Sequence, residues 1–265
     1  MKQGDFTEVA KHYINRPAYS AFLLEKLIKC INDTNKPLED LNVVEVGAGT
    51  GKLTKMLAEI FKLNITAVEP NDNMREEGIK FTQNCSNISW KKGSGEETGV
   101  KSGVADWVIM ASSFHWTDPN KSLPEFARVL HGGGGGGVPG AGYFTAIWNP
   151  RHIAEGSLFD EIEKEIKHIV PELTRVSSGT QNVKKWEEIL ISTGDFKDCF
   201  FMECDYTETW SKERYLGAWH SVNDIQAQAG ASRWQEILEM ISHKISKLES
   251  IEIPYKIRAW TAKKV

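Results

Sequence analysis

The run Glu45-Val46-Gly47-Ala48-Gly49-Thr50-Gly51 constrains this chain more than any other stretch. Asn42 to Val46 before it reads as a short buried strand, and Lys52 to Phe61 after it has the apolar rhythm of a helix. Alternating glycines between strand and helix let the backbone bend sharply and approach a ligand closely, because glycine has no Cβ. The helix that follows offers unpaired N–H groups and the positive end of its dipole to whatever sits there. A second strand, Asn64 to Val68, ends at Glu69-Pro70, and Glu69 lies 22 residues beyond Gly47. A carboxylate at that place can accept hydrogen bonds from both hydroxyls of a ribose.

This is a nucleoside-binding pattern, and its details discriminate among nucleosides. The nicotinamide fingerprint G-x-G-x-x-G requires glycine at position 52, which is Lys52 here. The phosphate loop G-x-x-x-x-G-K-[ST] fails as well, since Leu53 follows Lys52. Glu45 favours a cation crossing the turn and opposes a pyrophosphate. A sulfonium carrying an amino group fits better than a diphosphate.

The pattern of elements around the turn is that of an α/β fold with a parallel sheet. Phe22, Leu23, Leu27, Ile28 and Ile31 mark an amphipathic helix within residues 18–31. Asn73 to Phe81 suits a helix, Ile88 to Lys91 a short third strand and Ala105 to Ala111 a fourth. A helix over Asn120 to Leu130 and a fifth strand over Tyr143 to Trp148 continue the alternation. Between them, residues 131–142 contain eight glycines, a composition suited to a mobile loop rather than a core. Farther on, Arg151 to Gln181, Trp186 to Ile191 and Lys212 to Ser246 read as mainly helical, and Phe196 to Glu208 and Ile251 to Thr261 as extended. One domain over residues 1–265 is expected: a cofactor-binding core at 1–150, helical substrate cover at roughly 151–185 and 208–245, and closing strands at 196–207 and 251–263.

The combination Glu45-x-Gly47-x-Gly49-x-Gly51 with Glu69 resembles the class I S-adenosylmethionine-dependent methyltransferases. Tyr13-x-x-Arg16-Pro17, Gly95-Glu96-Glu97 and Phe114-His115-Trp116 extend the resemblance to the small-molecule group that includes the trans-aconitate methyltransferases. The resemblance covers residues 6–150 well and the last strand loosely, and it departs at the glycine run after His131. It implies a Rossmann-like seven-stranded sheet, mostly parallel, with the last strand antiparallel and helices on its flanks. It also implies S-adenosyl-L-methionine as cofactor. Gly47, Ala48 and Gly49 would face the methionine portion, with Gly51 completing the turn and Ser112 close to the methyl. Glu69 would hold the ribose, Asn71 and Met74 would flank the adenine, and Glu96 would meet the adenine edge. Tyr13 and Arg16 would hold the cofactor's carboxylate from an N-terminal flap.

The implied reaction is methyl transfer to a small-molecule acceptor, on oxygen or nitrogen. In-line displacement from a sulfonium needs alignment and exclusion of water, with a base only for a phenol or a protonated amine. His115 is the candidate base, with a structural hydrogen-bonding role as its alternative. His115, Trp116, Trp210, Trp219 and His220 would line the acceptor pocket, with packing as the default reading for Trp116 and helix core for the helical residues. Two rival functions are a sensor or regulatory protein that binds the cofactor without turnover, and an NAD-dependent oxidoreductase, which Lys52 opposes.

The net charge of -4 supplies no field for a nucleic-acid backbone. Cys30, Cys85, Cys199 and Cys204 form no C-x-x-C pair and no zinc-ligand spacing, so no metal is expected. The N-terminal residues lack the apolar core of a signal peptide, and no stretch approaches the length of a membrane span. A cytoplasmic protein, monomeric or weakly dimeric, is the expectation.

Overall fold

The computed structural model describes residues 10–33, 35–132, 140–174 and 185–265. Residues 133–139, the centre of the glycine run expected to form a mobile loop, lie outside the described residues. Contacts divide the chain into two compact units. One, the sheet unit, comprises Ala18–Asn149, Lys184–Cys204 and Ile257–Val265; the other, the helical unit, comprises Met1–Pro17, Pro150–Val183 and Asp205–Lys256.

In the sheet unit, α1 (Ala21–Ile31) opens behind Ser20, whose hydroxyl accepts the Leu23 N–H as an N-cap. Its buried stripe is Leu23, Leu24, Leu27, Ile28 and Ile31. Phe22, expected on that stripe, is 62% exposed, with the Lys26 ammonium over its ring. Positions two apart on a helix differ by about 200° at 3.6 residues per turn, so burying Leu24 turns Phe22 outward.

Strands β1 (Asn42–Val46), β2 (Asn64–Val68), β3 (Ile88–Lys91), β4 (Trp107–Ala111) and β5 (Tyr143–Trp148) alternate with α2 (Lys52–Ile60), α3 (Asp72–Phe81) and α4 (Pro119–Val129). Continuous burial of β5 and near-continuous burial of β1 and β4 is the mark of strands covered on both faces. After α5 (Leu158–Ile169) come α6 (Trp186–Leu190), β6 (Phe196–Trp210), α7 (Lys212–Trp219), α8 (Asn223–Ile245) and β7 (Ile251–Lys264). The seven strands form one sheet in the order β3-β2-β1-β4-β5-β7-β6. The first five are parallel, and β7 runs antiparallel to β5, from Tyr143 opposite Lys263 to Trp148 opposite Arg258. This is the Rossmann-like sheet with an antiparallel closing strand that the resemblance implies. Pro254 lies ahead of the residues of β7 that pair with β5, so it removes no ladder donor there. The core of this unit joins Val44, Val108, Phe114, Phe126, Phe144 and Trp148 to Trp186 of α6.

In the helical unit, α5 is capped by Ser157 and packs Phe159, Ile162 and Ile166 with Trp210, Tyr215 and Trp219. The expected helical stretch over 212–246 is two helices, and α8 is broken at Gly230, where φ is 71° and ψ 171°. Among the described residues no helix is long and apolar enough to cross a membrane.

Candidate functional site

β1 is flanked by β2 and β4, so the chain order reverses beside it. In open α/β sheets ligands bind at such a switch point, beyond the carboxyl ends of the strands. The glycine turn occupies that point. Gly47 and Ala48 both donate their N–H groups to Val68 O, at 2.9 and 3.1 Å, and Gly51 N donates back to Ala48 O at 2.9 Å. Gly47, Gly49 and Gly51 have φ of 69°, 58° and 79°, the left-handed region where a Cβ is penalised. A Cβ on Gly47 would also stand 2.7 Å from Ser113 Oγ and 2.9 Å from Ser113 Cβ. The turn after β1 and the residues after β4 are therefore in direct contact.

Glu69 closes the other side of the turn. Its Oε2 accepts from Gly49 N at 2.8 Å and its Oε1 from Asn71 N at 2.9 Å. A carboxylate offers about four lone-pair sites, so two amides leave each oxygen able to accept again. Burial pushes the Glu69 carboxyl up in pKa, while the bonds from Asn71 and Gly49 and the Arg75 charge oppose the rise. Glu45 is a different kind of acid. It is 1% exposed and accepts from Thr54 Oγ1 of α2 at 2.5 Å. Burial above all, and Glu69 nearby, push its carboxyl up to about 8 against the Thr54 hydrogen bond. It ties the end of β1 to α2.

The other residues picked out around the turn have definable local partners. Asn71 caps α3, its side chain accepting from Met74 N at 3.1 Å, and an Asn three residues before the capped amide is a signal readable in sequence. Met74 is 5% exposed, and its methyl stands 3.3 Å from where a Gly49 Cβ would be. Glu96 Oε1 accepts from Asp118 N at 2.9 Å, joining the segment after β3 to the start of α4.

Ser112 follows β4 with a φ of 53°. Its N–H donates to Ile147 O at 2.8 Å, its Oγ lies 3.0 Å from the Tyr19 hydroxyl, and it donates to Asn149 Oδ1 at 3.3 Å. Tyr19 and Asn149 had no sequence motif to announce them. Beyond Ser113, His115 Nδ1 accepts from Trp148 Nε1 at 3.2 Å, and its ring lies 4.9 Å from that of Trp116, which is 48% exposed.

Tyr13, Arg16, Trp210, Trp219 and His220 belong to the helical unit. Arg16 donates to Ser221 O at 2.9 Å and lies over the Tyr13 ring. Trp210 and Trp219 are each 3% exposed and fill that unit's core, the packing alternative for these side chains. His220 lies against His12, with ring centroids 5.1 Å apart, and edge-on to Trp234. Among the described residues no group of three or more His, Cys, Asp or Glu could hold a metal ion.

Comparison with known proteins agrees with this arrangement. Residues 44–135 match the family model described as a methyltransferase domain. An uncharacterized methyltransferase of Mycobacterium tuberculosis is 32% identical over 137 residues, 51% of this chain and 48% of the relative. An uncharacterized methyltransferase of Schizosaccharomyces pombe is 28% identical over 145 residues, 55% of this chain and 52% of the relative. The matched part of this chain thus spans about half the length of these curated relatives. Among solved structures, a candidate type II methyltransferase from Anaeromyxobacter dehalogenans superposes with a TM-score of 0.66 at 17% identity, covering 94% of this chain and 97% of that one. Phosphoethanolamine N-methyltransferase 2 of Haemonchus contortus, solved with phosphomonomethylethanolamine and S-adenosylhomocysteine, superposes with a TM-score of 0.54 at 14% identity, covering 99% of this chain and 58% of that one. Residues 44–135 thus match a methyltransferase-domain model, and the sheet around them has the Rossmann-like fold of the solved methyltransferase structures.

Proposed function

We propose that this chain is an S-adenosylmethionine-dependent methyltransferase acting on a small-molecule acceptor, at oxygen or nitrogen. One observation carries the reading: Glu69 turns its carboxylate into the glycine turn at the switch point, bonded to Gly49 N with lone pairs to spare. A ribose needs such an acceptor beside a backbone that glycine lets a ligand approach. The cofactor, when bound, supplies a methyl group already activated on a cationic sulfur.

The residues present fit that group. Glu69 accepts the ribose hydroxyls, and the backbone of Gly47, Ala48, Gly49 and Gly51 lies along the methionine portion. Asn71 and Met74 bound the adenine, Glu96 its edge, and Ser112 the methionine portion near the methyl. Glu45, buried and raised to about 8, is protonated at neutral pH, so it supports the turn through Thr54 and does not present the negative charge expected of it to the cofactor. His115 takes a role different from the base expected of it. Its Nδ1 accepts from Trp148, so the neutral ring carries its proton on Nε2. A nitrogen that already carries a proton does not take the acceptor's proton, which favours the hydrogen-bonding alternative for His115. Trp116 beside it supplies an apolar wall.

Calorimetric titration with S-adenosylmethionine and S-adenosylhomocysteine tests the cofactor, and Glu69→Ala should weaken both. Release of S-adenosylhomocysteine on incubation with a panel of carboxylic acids, phenols and amines tests turnover. Tight binding with no turnover on any of them would favour the sensor reading instead.

A further inference from the structure

Ser112 is the one residue of the candidate site that holds a left-handed backbone without being glycine, and the network around it explains how. Asn149 Nδ2 donates to Ala18 O at 3.0 Å, which fixes the amide so that its Oδ1 faces Ser112. Oδ1 can only accept, so the Ser112 hydroxyl proton is spent on it, and the 3.0 Å contact with Tyr19 is then a bond donated by the phenol. The result is a closed ring: Tyr19 to Ser112, Ser112 to Asn149, and Asn149 back to Ala18, the residue next to Tyr19. Tyr19 is 7% exposed, and Ser112 and Asn149 are half-buried.

The conformation held in this way has a purpose in the fold. A left-handed residue at the end of β4 redirects the chain out of the strand. It carries Ser113 against Gly47, where Ser113 Oγ reaches Val46 O at 3.3 Å, and launches the turn Phe114–Trp116 that bears His115. The wall of the crevice between β1 and β4 thus depends on one strained residue.

We propose that Tyr19 is a positioning residue for the cofactor site, acting through its hydroxyl to hold Ser112 in the left-handed conformation that shapes the β4 side of the crevice. The inference rests on the methyltransferase reading, and the experiment separates the two. S-adenosylhomocysteine affinity is measured by calorimetry for the full chain, Tyr19→Phe, Ser112→Gly and the double variant, with a thermal melt of each. Tyr19→Phe should weaken binding roughly fivefold, the factor for one hydrogen bond. Glycine takes a positive φ without restraint, so in the Ser112→Gly background the same change at Tyr19 should leave affinity unaltered. A merely structural phenol would lower the melting temperature of Tyr19→Phe and leave affinity unaltered, which the thermal melts distinguish. Equal weakening in both backgrounds, or no weakening in either, overturns the proposal. Wild-type protein that binds no S-adenosylhomocysteine overturns the cofactor reading, and the positioning role with it.

Discussion

Gly49 donates its amide proton to Glu69 Oε2 at 2.8 Å, so the acid that ends β2 grips the middle of the turn that follows β1. Two neighbouring strands are locked at their carboxyl ends by a group that also has capacity for a ligand. Replacing Glu69 by Ala removes both functions. S-adenosylhomocysteine affinity should fall at least tenfold, the equivalent of about 1.4 kcal/mol, by calorimetry. Glu69→Gln should bind better than Ala but worse than the native acid. Native-like affinity in the alanine variant would exclude the ribose role.

The glycine turn makes a steric prediction with its own control. Gly47→Ala places a methyl 2.7 Å from Ser113 Oγ at a φ of 69°. Gly103 has a φ of 63° but nothing within 4 Å of where an added methyl would stand. Gly103→Ala should therefore cost only the left-handed penalty, about 1–2 kcal/mol. Gly47→Ala should cost more in denaturant unfolding and should also abolish cofactor binding. Equal losses in the two would mean that the contact with Ser113 relaxes freely.

Glu45 predicts a pH slope. Its carboxyl is raised to about 8 in the folded chain and returns to an ordinary value when unfolded. The folded state then binds more protons than the unfolded state between those values, so its contribution to stability is full at acid pH and is lost as pH rises towards 8. Glu45→Gln keeps the shape and cannot ionise. Melting temperatures at pH 5.5 and 8 should fall less for this variant than for the native chain; parallel falls would show that Glu45 is ionised throughout.

Trp148 sets the tautomer of His115. With Nδ1 accepting from the indole, the neutral imidazole should be the Nε2–H form, visible in its nitrogen chemical shifts roughly two pH units above the usual imidazole value. Trp148→Phe removes the donor and should let the other tautomer appear. A native ring protonated on Nδ1 would restore His115 as a candidate base.

Much of this arrangement is legible in the residues themselves. The glycine turn, the acid at position 69 and five of the strands depend on local rules of periodicity and backbone freedom, and each is found within a few residues of its expected place. Periodicity misplaces Phe22 because Leu24 completes an alternative stripe with Leu27, Ile28 and Ile31, and only the packing chooses between them. Tyr19 and Asn149 are invisible for another reason. Their bonds to Ser112 cross 93 and 37 residues, and nothing in either neighbourhood signals such a partner. The tautomer of His115 is hidden in the same way, since it is set by an indole 33 residues away.

The indole of Trp148 stacks on that of Trp186 with a 27° skew between planes, 4.5 Å between centroids, and lies edge-on to Trp260 at 5.6 Å. Chromophores so close share their excited states, so the native chain should give an exciton couplet in circular dichroism. Because Trp148 also touches His115, loosening at the rim of β5 would register optically, without any label attached.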